Sequence, residues 1–205
     1  MKKYIIFIVM VLLLTKVKAQ EIGFSPVRIW TNNYEIQNPF GFSFYYFQPI
    51  GKLGFKIEYI SAKNKRDYYG YILGGFFANP DEHIQENVKS KTNMSVLEFG
   101  LMIPEVLELT KNYFNIGFGV TRDRFSGKRE GIDSGKEINI EDENKYGIFY
   151  SISISRKKVL QIPLKLELLF KQKFIKGGNF ATDIEQPFVG SMIIEELHFN
   201  ISYAF

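Results

Sequence analysis

The sequence predicts an all-β protein: an eight-stranded antiparallel transmembrane β-barrel wound as an up-and-down meander. Three observations carry the prediction. Segment after segment alternates with a period of two, with serine, glycine, asparagine or balanced charges opposite the apolar positions. The connections between these segments alternate between short and long or moderate, as the two ends of such a barrel require. The chain also closes on LHFNISYAF, in which Leu197, Phe199, Ile201, Tyr203 and Phe205 are apolar or aromatic, while His198, Asn200, Ser202 and Ala204 are polar or small.

The first twenty residues, MKKYIIFIVMVLLLTKVKAQ, read as a secretory leader. Lys2 and Lys3 make a positive start, Tyr4 to Leu14 an apolar run, and Val17 and Ala19 the small residues before a cut after Ala19. The run is too short for a membrane-spanning helix, which needs about 20 residues. An uncleaved anchor is the alternative, and the short run with its cleavage pattern argues against it. The expected organisation is a signal peptide over 1–19 and a barrel over 20–205. Cysteine is absent, which excludes disulfides, thiol chemistry and lipid attachment through cysteine. Of 26 basic residues against 22 acidic, four lysines leave with the leader. The remainder is near neutral, so a nucleic-acid interface loses its support.

The strands follow in order. Ile22 to Trp30 opens the barrel, although Ile22, Phe24, Val27 and Ile29 do not share one parity. Pro26 stands where the phase slips, which suggests a bulge or an edge. Phe40 to Phe47 is aromatic on both faces, with Gly41 and Ser43 marking its inner side. Leu53 to Ile60 sets Leu53, Phe55, Ile57 and Tyr59 against Gly54, Lys56 and Glu58. Leu97 to Ile103 sets Leu97, Phe99, Leu101 and Ile103 against Glu98, Gly100 and Met102. Tyr113 to Thr121, Tyr146 to Arg156 and Gln161 to Phe170 repeat the pattern, and Leu197 to Phe205 ends it. A rival register drops the first strand and uses Tyr68 to Phe77 as the third.

A soluble sandwich would also alternate, but with its apolar face turned inward. Five aliphatic or aromatic residues in succession on one face, against serine, glycine and asparagine on the other, suit lipid outside and a polar lumen inside. The short connections are Pro49 to Lys52, Pro104 to Lys111 and Lys157 to Leu160. The others are Thr31 to Asn38, Ser61 to Asn93, Arg122 to Lys145 and Lys171 to Glu195. Short turns belong to the periplasmic end and longer loops to the cell surface, which puts both termini in the periplasm.

The final strand, with Phe199, Ile201, Tyr203 and terminal Phe205 on one face, resembles the C-terminal signature of bacterial outer-membrane β-barrels. In layout the mature chain resembles the small OmpX-like and OmpW-like barrels. Its composition, rich in lysine, asparagine and aromatics, is similar to the outer-membrane β-barrel group of Bacteroidota. The resemblance implies an exported, monomeric protein of the Gram-negative outer membrane. It implies as partners the surrounding lipid and lipopolysaccharide, and the barrel-assembly machinery that reads the last strand.

Eight strands close around an interior that side chains can just fill. Lys56, Glu58, Glu98, Lys165, Glu167 and His198 fall on the inward parity, and in so narrow a lumen each charge needs a partner. These residues therefore read as a polar network, with a narrow path for a small solute as the alternative. A lipid-modifying enzyme would need a histidine beside a serine and a carboxylate. His83 lies in a long loop, and His198 stands about seven residues from the chain end. At about 3.3 Å per residue and a 45° tilt, that is roughly 16 Å up, in mid-membrane. No catalytic, cofactor or metal site is assigned. Glu130, Asp133, Glu137, Glu141, Asp142 and Glu143 lack the spacing of a calcium loop. Lys63, Lys65, Arg66, Lys89, Lys91, Arg122, Arg124, Lys171, Lys173 and Lys176 fall where strands leave the membrane. They are expected to form a rim that contacts lipopolysaccharide phosphates.

Overall fold

The computed structural model describes residues 20–31, 38–73, 84–157, 159, 162–176 and 191–204. The leader, Phe76, Phe77, His83 and the terminal Phe205 lie outside the described residues. The strands are β1 (Glu21–Thr31), β2 (Phe40–Ile50), β3 (Leu53–Leu73), β4 (Ile84–Leu109), β5 (Asn112–Gly131), β6 (Glu137–Arg156), β7 (Leu164–Lys176) and β8 (Ser191–Ala204). Each pairs antiparallel with the next, and β1 pairs with β8 to close the ring. This is the predicted meander, with Glu21–Thr31 as a full strand and Tyr68 within β3, so the rival register is not adopted.

Two tight turns mark one end. Gly51 takes φ +62° between the paired Ile50 and Leu53, a left-handed value that glycine supplies without steric cost. Thr110 and Lys111 are both left-handed between the paired Leu109 and Asn112, the backbone of a two-residue hairpin turn. The stretch Pro104 to Lys111 is therefore mostly strand. The register shift between Ile103 and Leu107 contains Glu105 at φ +59°, whose N–H donates to Asn115 Oδ1 at 3.0 Å.

The opening strand holds no bulge. Its register to β2 is unbroken from Glu21↔Phe47 to Arg28↔Phe40, and its partners on β8 keep step on both sides of Pro26. Ile22, Phe24, Arg28 and Trp30 are exposed on the outer face, while Ser25, Val27 and Ile29 are buried within. The parity is constant, and the environment is what changes. Below Pro26 the apolar Ile22 and Phe24 face out; above it Val27 and Ile29 face in, while Arg28 and Trp30 keep the outer face.

The same inversion occurs on the neighbouring wall. On β3 the outward series passes from Phe55, Ile57 and Tyr59 to Ser61, Lys63 and Lys65, as the inward series passes from Lys56 and Glu58 to Ile60 and Ala62. On β4 it falls between Leu97 and Ser95, and on β5 between Val120 and Arg122. The outer apolar face suits lipid; beyond it the ladder continues with polar side chains outward and Ile60, Ala62, Met94, Val96 and Phe125 inward, joined on β4 and β5 by buried Thr92, Ser90 and Arg129. This corrects two expected connections. Much of Ser61 to Asn93 and Arg122 to Lys145 is hydrogen-bonded strand, because strand pairing outlasts the lipid-facing pattern.

Candidate functional site

The lumen is filled in three layers. Nearest the tight turns, Glu21 meets Lys165 at 3.1 Å, and Ser202 donates to the same carboxylate at 3.4 Å. Glu167 accepts from Asn115 at 3.1 Å, Ser153 at 2.5 Å and Asn200 at 2.9 Å. The short polar side chains that β5, β6 and β8 turn inward here leave room for this layer.

The middle layer is ionic. Lys171 reaches Glu58 at 3.0 Å and Glu196 at 3.3 Å, and also bonds Glu98. Lys173 meets Glu98 at 2.6 Å and Asp123 at 3.5 Å, and pairs with Glu196. Lys56 meets Glu58 at 2.9 Å and lies 4.3 Å over the Tyr45 ring. His198 is held between two carboxylates, Glu196 at 2.8 Å and Glu58 at 3.3 Å. Each charge has an opposite charge within reach, which ions removed from water require.

All six lumen residues of the sequence reading therefore lie in the interior, but two of the expected rim residues lie there too. Lys171 and Lys173 are 1% and 0% exposed. The apolar alternation that stops at Phe170 places them at a strand end when only the sequence is read. In fact β7 runs to Lys176, and its inward parity carries both lysines into the ionic layer. Four acidic residues, Glu58, Glu98, Asp123 and Glu196, converge there, and the two lysines bridge them.

Above the ions the lumen is apolar, a layer absent from the sequence reading. Val27, Ile29, Ile60, Met94, Phe125 and Ile194 are buried in one cluster. The parity change at Val27 and Ile29 is its sequence signal. The cavity beside Lys56, Glu58 and Glu98 amounts to about 10 Å³, barely the room of one water.

His198 has no hydroxyl of the described residues hydrogen-bonded to its ring. His198 is buried, and the nearby Ser43 hydroxyl donates to Glu58 at 2.7 Å instead of to the imidazole. A nucleophile would need the histidine as its immediate base. His83 lies outside the described residues. Among the described residues no group of three or more His, Asp or Glu is placed to hold a metal ion. The acidic hairpin end serves packing: Glu86 of β4 accepts from the N–H groups of Asp133 at 2.7 Å and Ser134 at 2.8 Å, and from the Ser134 hydroxyl. These bonds, led by the Ser134 hydroxyl, hold its carboxyl below the ordinary value.

Of the remaining rim residues, all but Lys176 lie on β3, β4 and β5. Lys63, Lys65, Lys89, Lys91, Arg122 and Arg124 are exposed on the outer faces of β3, β4 and β5. Arg66 is half-buried, with its guanidinium 5.6 Å from the Tyr68 ring. Lys176 ends β7. Beside them, on the adjoining β1 and β2, Phe24 stacks against Phe42 at 5.4 Å, and Phe40, paired with Lys63, meets Phe42 edge-on. On β8, Phe199, Ile201 and Tyr203 are exposed along the outer face, the last two opposite Leu166 and Leu164.

No family model and no curated protein matches the chain in sequence. Solved structures do match in shape. A major outer membrane protein from Thermus thermophilus superimposes with TM-score 0.55 at 14% identity, covering 91% of this chain and 99% of that one. Neisserial surface protein A gives 0.54 at 12% identity, with 91% and 96% covered. OprG from Pseudomonas aeruginosa gives 0.52 at 8% identity, with 93% and 97% covered. With its closed ring of eight strands, apolar outer band and filled lumen, the chain has the fold of the small eight-stranded outer-membrane β-barrels.

Proposed function

We propose that the protein is a non-enzymatic integral protein of the outer membrane. It is a sealed barrel that holds the long β3–β4 and β5–β6 hairpins above the lipid for contact with envelope or surface partners. The observation that carries this reading is the apolar layer over the ionic one. An ion crossing the lumen would have to leave the Lys171–Glu98 network and then pass Phe125 and Met94, whose side chains offer it no charge. In this reading the leader directs export, and the outward face of β8 is what the assembly machinery takes up.

A narrow conduit is the competing reading. Purified protein inserted in planar bilayers is expected to give no conductance above leak; steady single-channel openings would replace the sealed platform with a conduit.

A further inference from the structure

We propose that the outer face of β7, β8 and β1 is the contact surface for a second copy of this chain, docked side by side in the membrane about a two-fold axis along the membrane normal. Arg28 of each copy would meet Glu195 of the other, with Leu197 near the axis. The proposal goes beyond the sealed-barrel reading but rests on its membrane placement, and it replaces the single copy that the family resemblance implies.

A hydrogen-bonded polar chain crosses this face inside the apolar band. The Tyr150 hydroxyl of β6 donates to Gln172 Oε1 on β7, and Gln172 Nε2 donates to Glu195 Oε1 on β8 at 3.1 Å. Register sets the three in one row, with Ile152, Phe170 and Leu197 in the row beneath and Ile148, Phe174 and Ile193 in the row above. Phe174 also stacks on Tyr150 at 6.2 Å. The inward neighbours fix the height. Gln172 lies between Lys171 and Lys173, and Glu195 borders Glu196, all in the ionic layer; beside that layer β3 and β4 turn out Tyr59 and Leu97. Hydrocarbon offers a polar side chain no partner, so such groups on a membrane face bond to one another or to a neighbouring protein.

The surface above the chain also differs from the β3–β4 wall. Beside the apolar layer of the lumen, β3 turns out Ser61 between Ile60 and Ala62, and β4 turns out Ser95 between Met94 and Val96. In the same setting β8 turns out Ile193, between Met192 and Ile194, and β1 turns out Arg28, between Val27 and Ile29. Arg28 is exposed and makes no hydrogen bond or ion pair among the described residues. Glu195 stands diagonal to it across the β8–β1 pair, and its carboxylate bonds the uncharged Gln172 amide. Both lie within one outward position of the level at which the inward series turns apolar, at Ile194 on β8 and Val27 on β1.

Two barrels inserted in the same sense form a closed pair only about an axis along the membrane normal. Such an axis brings each position of the face to a second position on the other copy, and that second position to the first. A cation and an anion diagonal to one another at one level are then self-complementary, because half a turn sets Arg28 against Glu195 twice. A guanidinium and a carboxylate held away from water form strong paired hydrogen bonds. This self-complementarity identifies the occupant as a second copy.

The chain has no cysteine, so a single introduced thiol reports contact between copies. In the folded protein, diluted into phosphatidylcholine vesicles and oxidised, Leu197→Cys is expected to give a disulfide-linked band of twice the mass. Leu101→Cys, comparably exposed on the outer face of β4, is expected to give none. Added to Leu197→Cys, R28E or E195R alone is expected to lower the linked fraction about tenfold, and R28E/E195R together to restore it. Equal linkage through both cysteines, or single copies throughout, would overturn the proposal, as would a loss that the double reversal does not recover. The two cysteine variants decide the contact by themselves if a charge reversal fails to fold. Protein that does not float with the vesicles would overturn the membrane reading itself, an outcome distinct from a floating barrel that stays single.

Discussion

At the scale of single residues, the lumen charges act as a set. Lys173 touches Glu98, Asp123 and Glu196, so removing its ammonium leaves three buried carboxylates short of a partner. Lys173→Met is expected to cost about 3–5 kcal/mol, read from urea unfolding in lipid vesicles. An unchanged midpoint would mean the network contributes little. Glu86, above the lipid, makes a pH prediction. Its carboxyl titrates below the ordinary 4.5 in the folded state, so its contribution is complete above that value and is lost as pH falls through the folded one. Amide exchange at Asp133 and Ser134 is expected to quicken on acidification below 4.5, relative to the intrinsic rate, and to be already fast at neutral pH in Glu86→Gln. Little of this is legible in the sequence. Parity puts Lys56, Glu58, Glu98, Lys165, Glu167 and His198 inside, but which carboxylate meets which lysine depends on strands far apart in the chain.

At the scale of elements, the strands of the tall wall have two regimes joined at the lipid boundary. The period-two signal persists through both, but its sense inverts; the same inversion on β1 makes Val27 and Ile29 read from sequence as a slipped phase at Pro26. Lys171 and Lys173 read as rim cations for a related reason, since charged residues after an apolar-out run look like the end of a strand. The boundary on β5 predicts a depth-dependent cost. Phe118→Arg, inside the apolar band, is expected to destabilise the folded barrel by about 2–4 kcal/mol, whereas Asn93→Arg on β4, above the band, costs about 0–1 kcal/mol. Folding titrations in vesicles measure both, and equal costs would place the boundary elsewhere.

At the scale of the molecule, the barrel is lopsided. β3, β4, β5 and β6 have 20 to 26 residues, against 11 to 14 in the other four strands. Among the described residues, the β3–β6 wall therefore rises highest above the apolar band, and β3, β4 and β5 carry Lys63, Lys65, Lys89, Lys91, Arg122 and Arg124 on their outer faces. Because the ring closes through β1 and β8 and the lumen is packed, the barrel is expected to stay folded in cold detergent and to unfold on boiling. Urea-washed outer membranes should show a band whose electrophoretic mobility changes with boiling. A band that washes off, or that runs alike either way, would argue for a soluble core.

The sequence by itself determined the eight strands, their meander order, the end bearing the short turns and the inward parity of the polar residues in the membrane zone. Each of these follows from local alternation and connection length, which a chain carries wherever it folds. Only the tertiary structure decided that the lumen has an apolar layer above its ions, that Lys171 and Lys173 complete an ionic layer, and that Lys63, Lys65, Lys89, Lys91, Arg122 and Arg124 share the outer faces of three adjacent strands. Those features arise from register between strands, and register is fixed where the barrel closes and every inward side chain must share one narrow space.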